Sequence, residues 1–372
     1  MSTKYKAKHI IICELILLLI FSSILIKQGL EHDATLYTTM YDSNKNFIKW
    51  VSFDVSEKAM NRAYKYDIDT KDKQVHLNWI ELLAYLGAKY GGDFSRYKEK
   101  HMTEIADKLI SKEETMESLT NNLKYYDYYY EAYSAVLSGM VGDYLIEVAD
   151  ESSPTGKRWE EKYGLKAFLP IAKYYPYSHF DDFGVSRSYG YKRRHLGHDM
   201  MGQVGTPIIA VESGYVEALG WNQYGGWRIG IRSFDKKRYY YYAHLRQNFP
   251  YNKSLEEGSV VQAGDVIGYL GRTGYSSKEN ANNIRTPHLH FGLQLIFDES
   301  QKESVNEIWV DCYQLVQFLY KNRSETVKDP ETKEYHRVYE FIDPVAEDYI
   351  NHQIYDYDDE EIEIHIYEEG DN

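Results

Sequence analysis

The chain has 372 residues, enough for two or more domains, and 43% of them are hydrophobic, sufficient for real cores. Its net charge of −14 argues against a nucleic-acid partner. Two cysteines, Cys13 and Cys312, cannot build a disulfide framework.

In chain order, Lys4, Lys6 and Lys8 precede an apolar run from Ile10 to Ile26, at the lower edge of a bilayer span. Glu14 is costly there, though near the end of the run it can snorkel or pair with a lysine. Basic residues lead and Glu31 and Asp33 follow, which predicts a cytoplasmic N-terminus and an exported remainder. No Ala-x-Ala-like cleavage motif is visible beyond a weak one at Ser22-Ser23, and Cys13 lacks the small residues that precede a lipid-modified cysteine. Residues 1–30 therefore read as a signal-anchor helix, with a cleaved signal peptide and secretion as the alternative.

Residues 31–150 read as a helical accessory domain. Leu36 to Val55 is polar and mixed, a short linker; Ser56 to Met60 opens a short helix. Asn78 caps a better one, with Trp79, Leu82, Leu83 and Leu86 on one face and Gly91-Gly92 at its end. Ser95 to Ile110 gives a third, and Ser111-Lys-Glu-Glu114 has a capping-box pattern before Met116, Leu119 and Leu123. Glu81 and Glu131 are the obvious acids for a lysozyme-like activity here. No paired-carboxylate signature accompanies them, and charged helix residues are usually a solvated face. Tyrosine is abundant, at 38 residues, in runs such as Tyr125 to Tyr130 that suit packing more than ligand contact. Ser152-Ser-Pro-Thr-Gly156 reads as an interdomain linker.

Residues 151–325 read as a glycine-punctuated antiparallel sheet domain, so the fold class is α+β. Pro207 to Val211, Gly214 to Leu219, Trp227 to Arg232 and Tyr239 to His244 are short apolar or alternating runs. Turn signals at Ser213-Gly214, Gly225-Gly226 and Phe234 to Lys237 separate them. Val310 to Tyr320 looks helical, with Cys312 a small buried hydrophobe. Residues 326–372 form a C-terminal extension. From Glu347 onward it holds eleven acidic residues and no Lys or Arg, so most of the net charge sits there. Its alternating Glu361 to Ile366 suits an edge strand or a disordered acidic segment.

Three histidine-bearing stretches carry the chemistry. In His195-Leu-Gly-His-Asp199, a straight strand would put His195 and Asp199 about 13 Å apart, and Gly197 disfavours a helix. A bend at Gly197 folds both side chains onto one point. His198 has the wrong phase and reads as a supporting neighbour of the ligands or as packed, not as a ligand. Tyr242-Ala-His244-Leu ends a tyrosine run. In Thr286-Pro-His288-Leu-His290-Phe291, both imidazoles share a strand face while Leu289 and Phe291 pack behind. His195, Asp199 and His290 thus make a His₂Asp metal-ligand set with a fourth position open to water, the arrangement of a catalytic zinc site. His288 and His244 are left as acid/base candidates.

The order H-x-G-x-D, Tyr-x-His-Leu, His-x-His-Phe-Gly resembles the M23 family of LytM/lysostaphin-type zinc metallopeptidases. The resemblance covers Tyr189 to Phe297, about a third of the chain. It implies a small antiparallel sheet with Zn2+ in a groove and a hydrolase acting on peptidoglycan stem or cross-bridge peptides outside the membrane. The alternative it leaves is a membrane-tethered, wall-binding scaffold that keeps the fold without turnover. A purely structural zinc site is disfavoured, because such sites are normally closed and often cysteine-rich. One departure stands out: Tyr275 to Arg285 is a polar insertion, a loop, where the family usually has a very short linker.

Overall fold

In the computed structural model, residues 47–188, 192–302 and 306–352 are described. The expected signal-anchor and the alternating acidic segment at 361–366 lie outside these residues. Among the described residues, no helix is long and apolar enough to cross a membrane. The chain divides into two compact units, Met1–Val51 and Ser52–Asn372. The second contains all the elements below and is mixed α and β with antiparallel sheets.

Its helical part opens with α1 (Glu57–Thr70) and α2 (Trp79–Tyr90). Ser56 caps α1 by accepting from the Ala59 amide, and that helix is longer than the first residues suggested. Asn78 Oδ1 caps α2 by accepting from the Ile80 and Glu81 amides, and Gly91, left-handed at φ 66°, ends it. Helix α3 (Glu99–Ile110) follows, then α4 (Met116–Thr120) and α5 (Tyr126–Leu137). The capping box belongs to Thr115 and Ser118, four residues beyond the expected one. Ser111 is helical at the C-terminal end of α3, its amide bonded back to Asp107 O, so it lacks the extended backbone an N-cap requires. The tyrosine run packs: Tyr129 and Tyr133 meet edge-on or tilted, and Phe53 and Phe94 contact Tyr133.

The stretch expected as a linker is instead a tight turn. Strands β1 (Val141–Ala149) and β2 (Lys157–Leu165) pair antiparallel along their whole length, and residues 150–156 join them. Further on come β3 (Ser178–His179), β4 (Ser186–Ser188), β5 (Lys192–Arg194), β6 (His198–Met201) and β7 (Pro207–Ile209). After these run β8 (Gly214–Asn222), β9 (Gly226–Ser233), β10 (Arg238–Ala243), β11 (Val260–Val261), β12 (Val266–Tyr269), β13 (His288–Leu295) and β14 (Ile308–Val310). The main sheet has the order β11-β8-β9-β10-β13-β6-β3, with β14 also on β13.

Alternation along β10 and β13 decides the two faces of this sheet. Tyr240, Tyr242, Leu289, Phe291 and Leu293 are fully buried on one face, where the rings of Tyr240 and Phe291 stack 6.3 Å apart. Tyr239, Tyr241 and His290 lie on the other. Helix α6 (Tyr313–Leu319) follows β14, so the expected helix starts later because Ile308–Val310 is an edge strand. Phe318 on α6 stacks on Trp79 of α2 at 5.7 Å and meets Tyr64 of α1 edge-on at 5.8 Å. Helices and sheet are thereby tied within one unit. Cys312 is fully buried, as expected of a small hydrophobe.

Candidate metal centre

Register in the main sheet assembles the site. On one side of β13, His290 pairs directly with Asp199 of β6. On the other, His290 pairs with Ala243, the last residue of β10, so His244 emerges beside it. His195 arrives from the turn after β5, through a bend at Gly197. That glycine is required by close approach: a Cβ there would lie 2.5 Å from the His290 ring. The expected bend is present, and its cause is the imidazole that occupies the space a side chain would fill.

Three donor atoms converge. Asp199 Oδ1 lies 3.0 Å from His195 Nε2 and 2.8 Å from His290 Nδ1, and the two nitrogens are 3.2 Å apart. These are the only three His, Cys, Asp or Glu residues forming such a cluster among the described residues. Donors around a tetrahedral zinc, at about 2.0–2.1 Å from the ion, are spaced about 3.3 Å from one another. A small expansion of the observed cluster therefore accommodates the ion, and the nitrogen and carboxylate donors are of the type zinc takes.

Neighbours hold each donor in its orientation. Arg187 Nη1 donates to Asp199 Oδ2 at 2.7 Å, leaving Oδ1 to face the two histidines. Arg187 also pairs with Asp182, whose carboxylate lies 3.2 Å from His195 Nδ1. His195 thus has its Nδ1 side occupied and turns Nε2 inward, the outer-shell pattern common to metal-binding histidines. Burial by itself would raise the Asp199 carboxyl, but hydrogen bonds from His195 and His290 hold it well below the usual carboxylate range. Burial lowers the pKa of His290, which favours the neutral form a ligand requires.

The remaining two histidines stand alongside. His288 donates from Nδ1 to the Thr286 carbonyl at 2.8 Å, and its Nε2 lies 3.7 Å from Asp199 Oδ2. His244 donates from Nδ1 to the Thr273 carbonyl at 2.9 Å. A carbonyl can only accept, so both rings carry a proton on Nδ1 and turn Nε2 away from these carbonyls. Their centroids are 4.8 Å apart. His244 is fully buried and its pKa is pushed well down, first by burial and then by His288 and His290. Its backbone is left-handed, φ 61°, a conformation costing about 1–3 kcal/mol that clusters at functional sites.

All five expected site residues are brought together. His198 points to the opposite face and contacts His179 Nδ1 at 2.8 Å and the Tyr313 ring, so it is packed and not in the cluster. Asp182 and Arg187 were not anticipated; they act across a hairpin turn, and no local spacing marks them. The 275–285 insertion also reaches the site: the Tyr275 ring lies 5.5 Å from that of His244, with Arg193 4.8 Å over it.

Comparison with known proteins agrees with this geometry. Residues 193–306 match the model of Peptidase family M23. Over 131 residues the chain is 40% identical to an L-Ala–D-Glu endopeptidase of Bacillus subtilis, covering 35% of this chain and 38% of the relative. Over 98 residues it is 39% identical to lysostaphin of Staphylococcus simulans, covering 26% of this chain and 17% of the relative. The matches thus span well under half the length of these relatives. Among solved structures, the catalytic domain of lysostaphin from Staphylococcus simulans is 30% identical, with 38% of this chain and 92% of that one covered and a TM-score of 0.29.

Proposed function

We propose that the chain is a zinc-dependent endopeptidase that hydrolyses peptidoglycan stem or cross-bridge peptides on the outer side of the cytoplasmic membrane. The observation that carries this reading is the convergence of His195 Nε2, Asp199 Oδ1 and His290 Nδ1 within 3.2 Å, flanked by two non-clustered imidazoles. The relatives named above, one an L-Ala–D-Glu endopeptidase, support the substrate class.

In this reading His195, Asp199 and His290 hold the metal. Zinc bound there supplies Lewis-acid polarisation of the scissile carbonyl and a water acidic enough to react near neutral pH. The chain's own residues do the rest. His288, its Nδ1 tied to Thr286 and its Nε2 turned to the site, accepts the proton of the attacking water. His244, fixed by Thr273, steadies the developing oxyanion once protonated or returns the proton to the leaving amine; the two roles can be exchanged. Burial keeps His244 neutral in the resting state, poised to accept a proton when negative charge develops nearby. Residues 1–30 would tether the enzyme to the membrane, or be cleaved to release it. The helical part, Glu57–Leu137, acts as an accessory to the peptidase domain, with 326–372 as an extension.

The test is incubation of the purified protein with cell-wall sacculi, with and without a chelator, and identification of released fragments by mass spectrometry. Chelator-sensitive cleavage of peptide bonds is expected, lost in both His195→Ala and His288→Ala, with metal retained only in the second. Intact sacculi carrying tightly bound protein would favour a non-catalytic wall-binding scaffold.

A further inference from the structure

We propose that the groove beside the metal centre selects a peptide bearing a free carboxylate within one or two residues of the scissile bond, in preference to an uncharged glycine bridge. This rests on the peptidase reading and narrows its substrate.

A groove of about 540 Å³ begins at His195 and His290 and runs over the open face of the main sheet, past Tyr241 and Trp309. Its walls carry four cationic side chains, Arg193, Arg194, Arg228 and Lys302, against two anionic ones, Glu217 and Glu307. The anionic pair is already committed. Glu217 accepts from Lys302 Nζ at 2.6 Å and lies 3.5 Å from Arg232, and Glu307 accepts from Trp309 Nε1 at 2.8 Å. Among the described residues no carboxylate lies within ion-pair distance of Arg193, Arg194 or Arg228. With the acidic tail from Glu347 onward set aside the chain is close to neutral, so this excess of cations is local to the groove.

Two of these guanidiniums are incompletely satisfied. The Nε atoms of Arg193 and Arg228 are buried without a hydrogen-bond partner. A buried N–H with no acceptor costs about 1–3 kcal/mol, more for a charged group, so the described residues leave both guanidiniums short of an acceptor. Arg193 is held in place by stacking over Tyr275 of the insertion. Both arginines line this groove together with Tyr241. The Tyr241 ring centroid is 6.1 Å from that of His290. An extended peptide advances about 3.3 Å per residue, so a bond cut at His290 puts a side chain or terminus one or two residues away among these guanidiniums. The planar guanidinium fork matches a carboxylate in two-point contact, and a glycine segment has no group to fill that role.

The experiment compares three fluorescent peptides on the full-length protein: one with glutamate beside the cleaved bond, its glutamine counterpart, and pentaglycine. Binding is read by anisotropy and cleavage by chromatography. The glutamate peptide is expected to bind and be cleaved about tenfold better than the glutamine one, a difference that shrinks with added salt. Arg193→Gln and Arg228→Gln should bring the two within about threefold, with melting temperature and zinc content confirming an intact fold. Equal binding of all three peptides, or a ratio unmoved by both substitutions, overturns the inference. Selective binding without cleavage of any peptide would keep the carboxylate site and sink the hydrolase reading. Cleavage without selectivity would do the reverse.

Discussion

Three of the four histidines of the site have one nitrogen spoken for. His195 leans on Asp182, His288 on the Thr286 carbonyl and His244 on the Thr273 carbonyl, so the opposite nitrogens are oriented before any ligand arrives. Arg187 does the same for Asp199 by taking its second oxygen. Arg187→Ala should therefore leave the three ligands present but let the carboxylate rotate. Zinc affinity is expected to fall about 10–100-fold, measured by competition with a chromogenic chelator. An unchanged affinity would mean Asp199 is held by its histidine neighbours alone. The ligands were legible in the sequence because their spacing is chemical: four residues with a glycine between, then two residues along a strand. Asp182 and Arg187 were not, since their contacts depend on how a hairpin folds back over β6, which no periodicity encodes.

Strands β10 and β13 were visible as alternating runs because each has one buried face, with Tyr240, Tyr242, Leu289 and Phe291 inward. Their pairing was not visible, although pairing is what sets His290 between Asp199 and Ala243. The β1–β2 hairpin was missed for a physical reason. Most of its residues are only partly buried or exposed, so there is little apolar alternation, and the polar turn at 150–156 looked like a linker. The junction of helices and sheet rests on Arg238 at the start of β10. Its guanidinium makes two hydrogen bonds to Glu212, at 2.7 and 3.0 Å, and donates to Ala135 O and Ser138 Oγ at the end of α5. Tyr240 also donates to Glu212 at 2.6 Å. Arg238→Ala would strand a buried carboxylate and uncap that helix. A loss of about 3–5 kcal/mol is expected in urea unfolding. A loss below about 1 kcal/mol would show that water reaches the cluster and that the junction is not held there.

At the scale of the whole molecule, a groove with an excess of cationic side chains lies beside the three-donor cluster. That cluster brings a carboxylate and two imidazoles from strands far apart in sequence within 3.2 Å of one another. The compact unit from Ser52 onward braces this arrangement through α6, whose Phe318 meets both Trp79 and Tyr64 of the helical part. The proposed function depends on that convergence serving one metal ion. The direct measurement is diffraction from zinc-soaked crystals on either side of the zinc absorption edge. A single anomalous peak bonded to His195 Nε2, Asp199 Oδ1 and His290 Nδ1, with His244 and His288 outside bonding distance, is the predicted result. No peak there at saturating zinc, or a peak whose ligands exclude Asp199, would contradict the account.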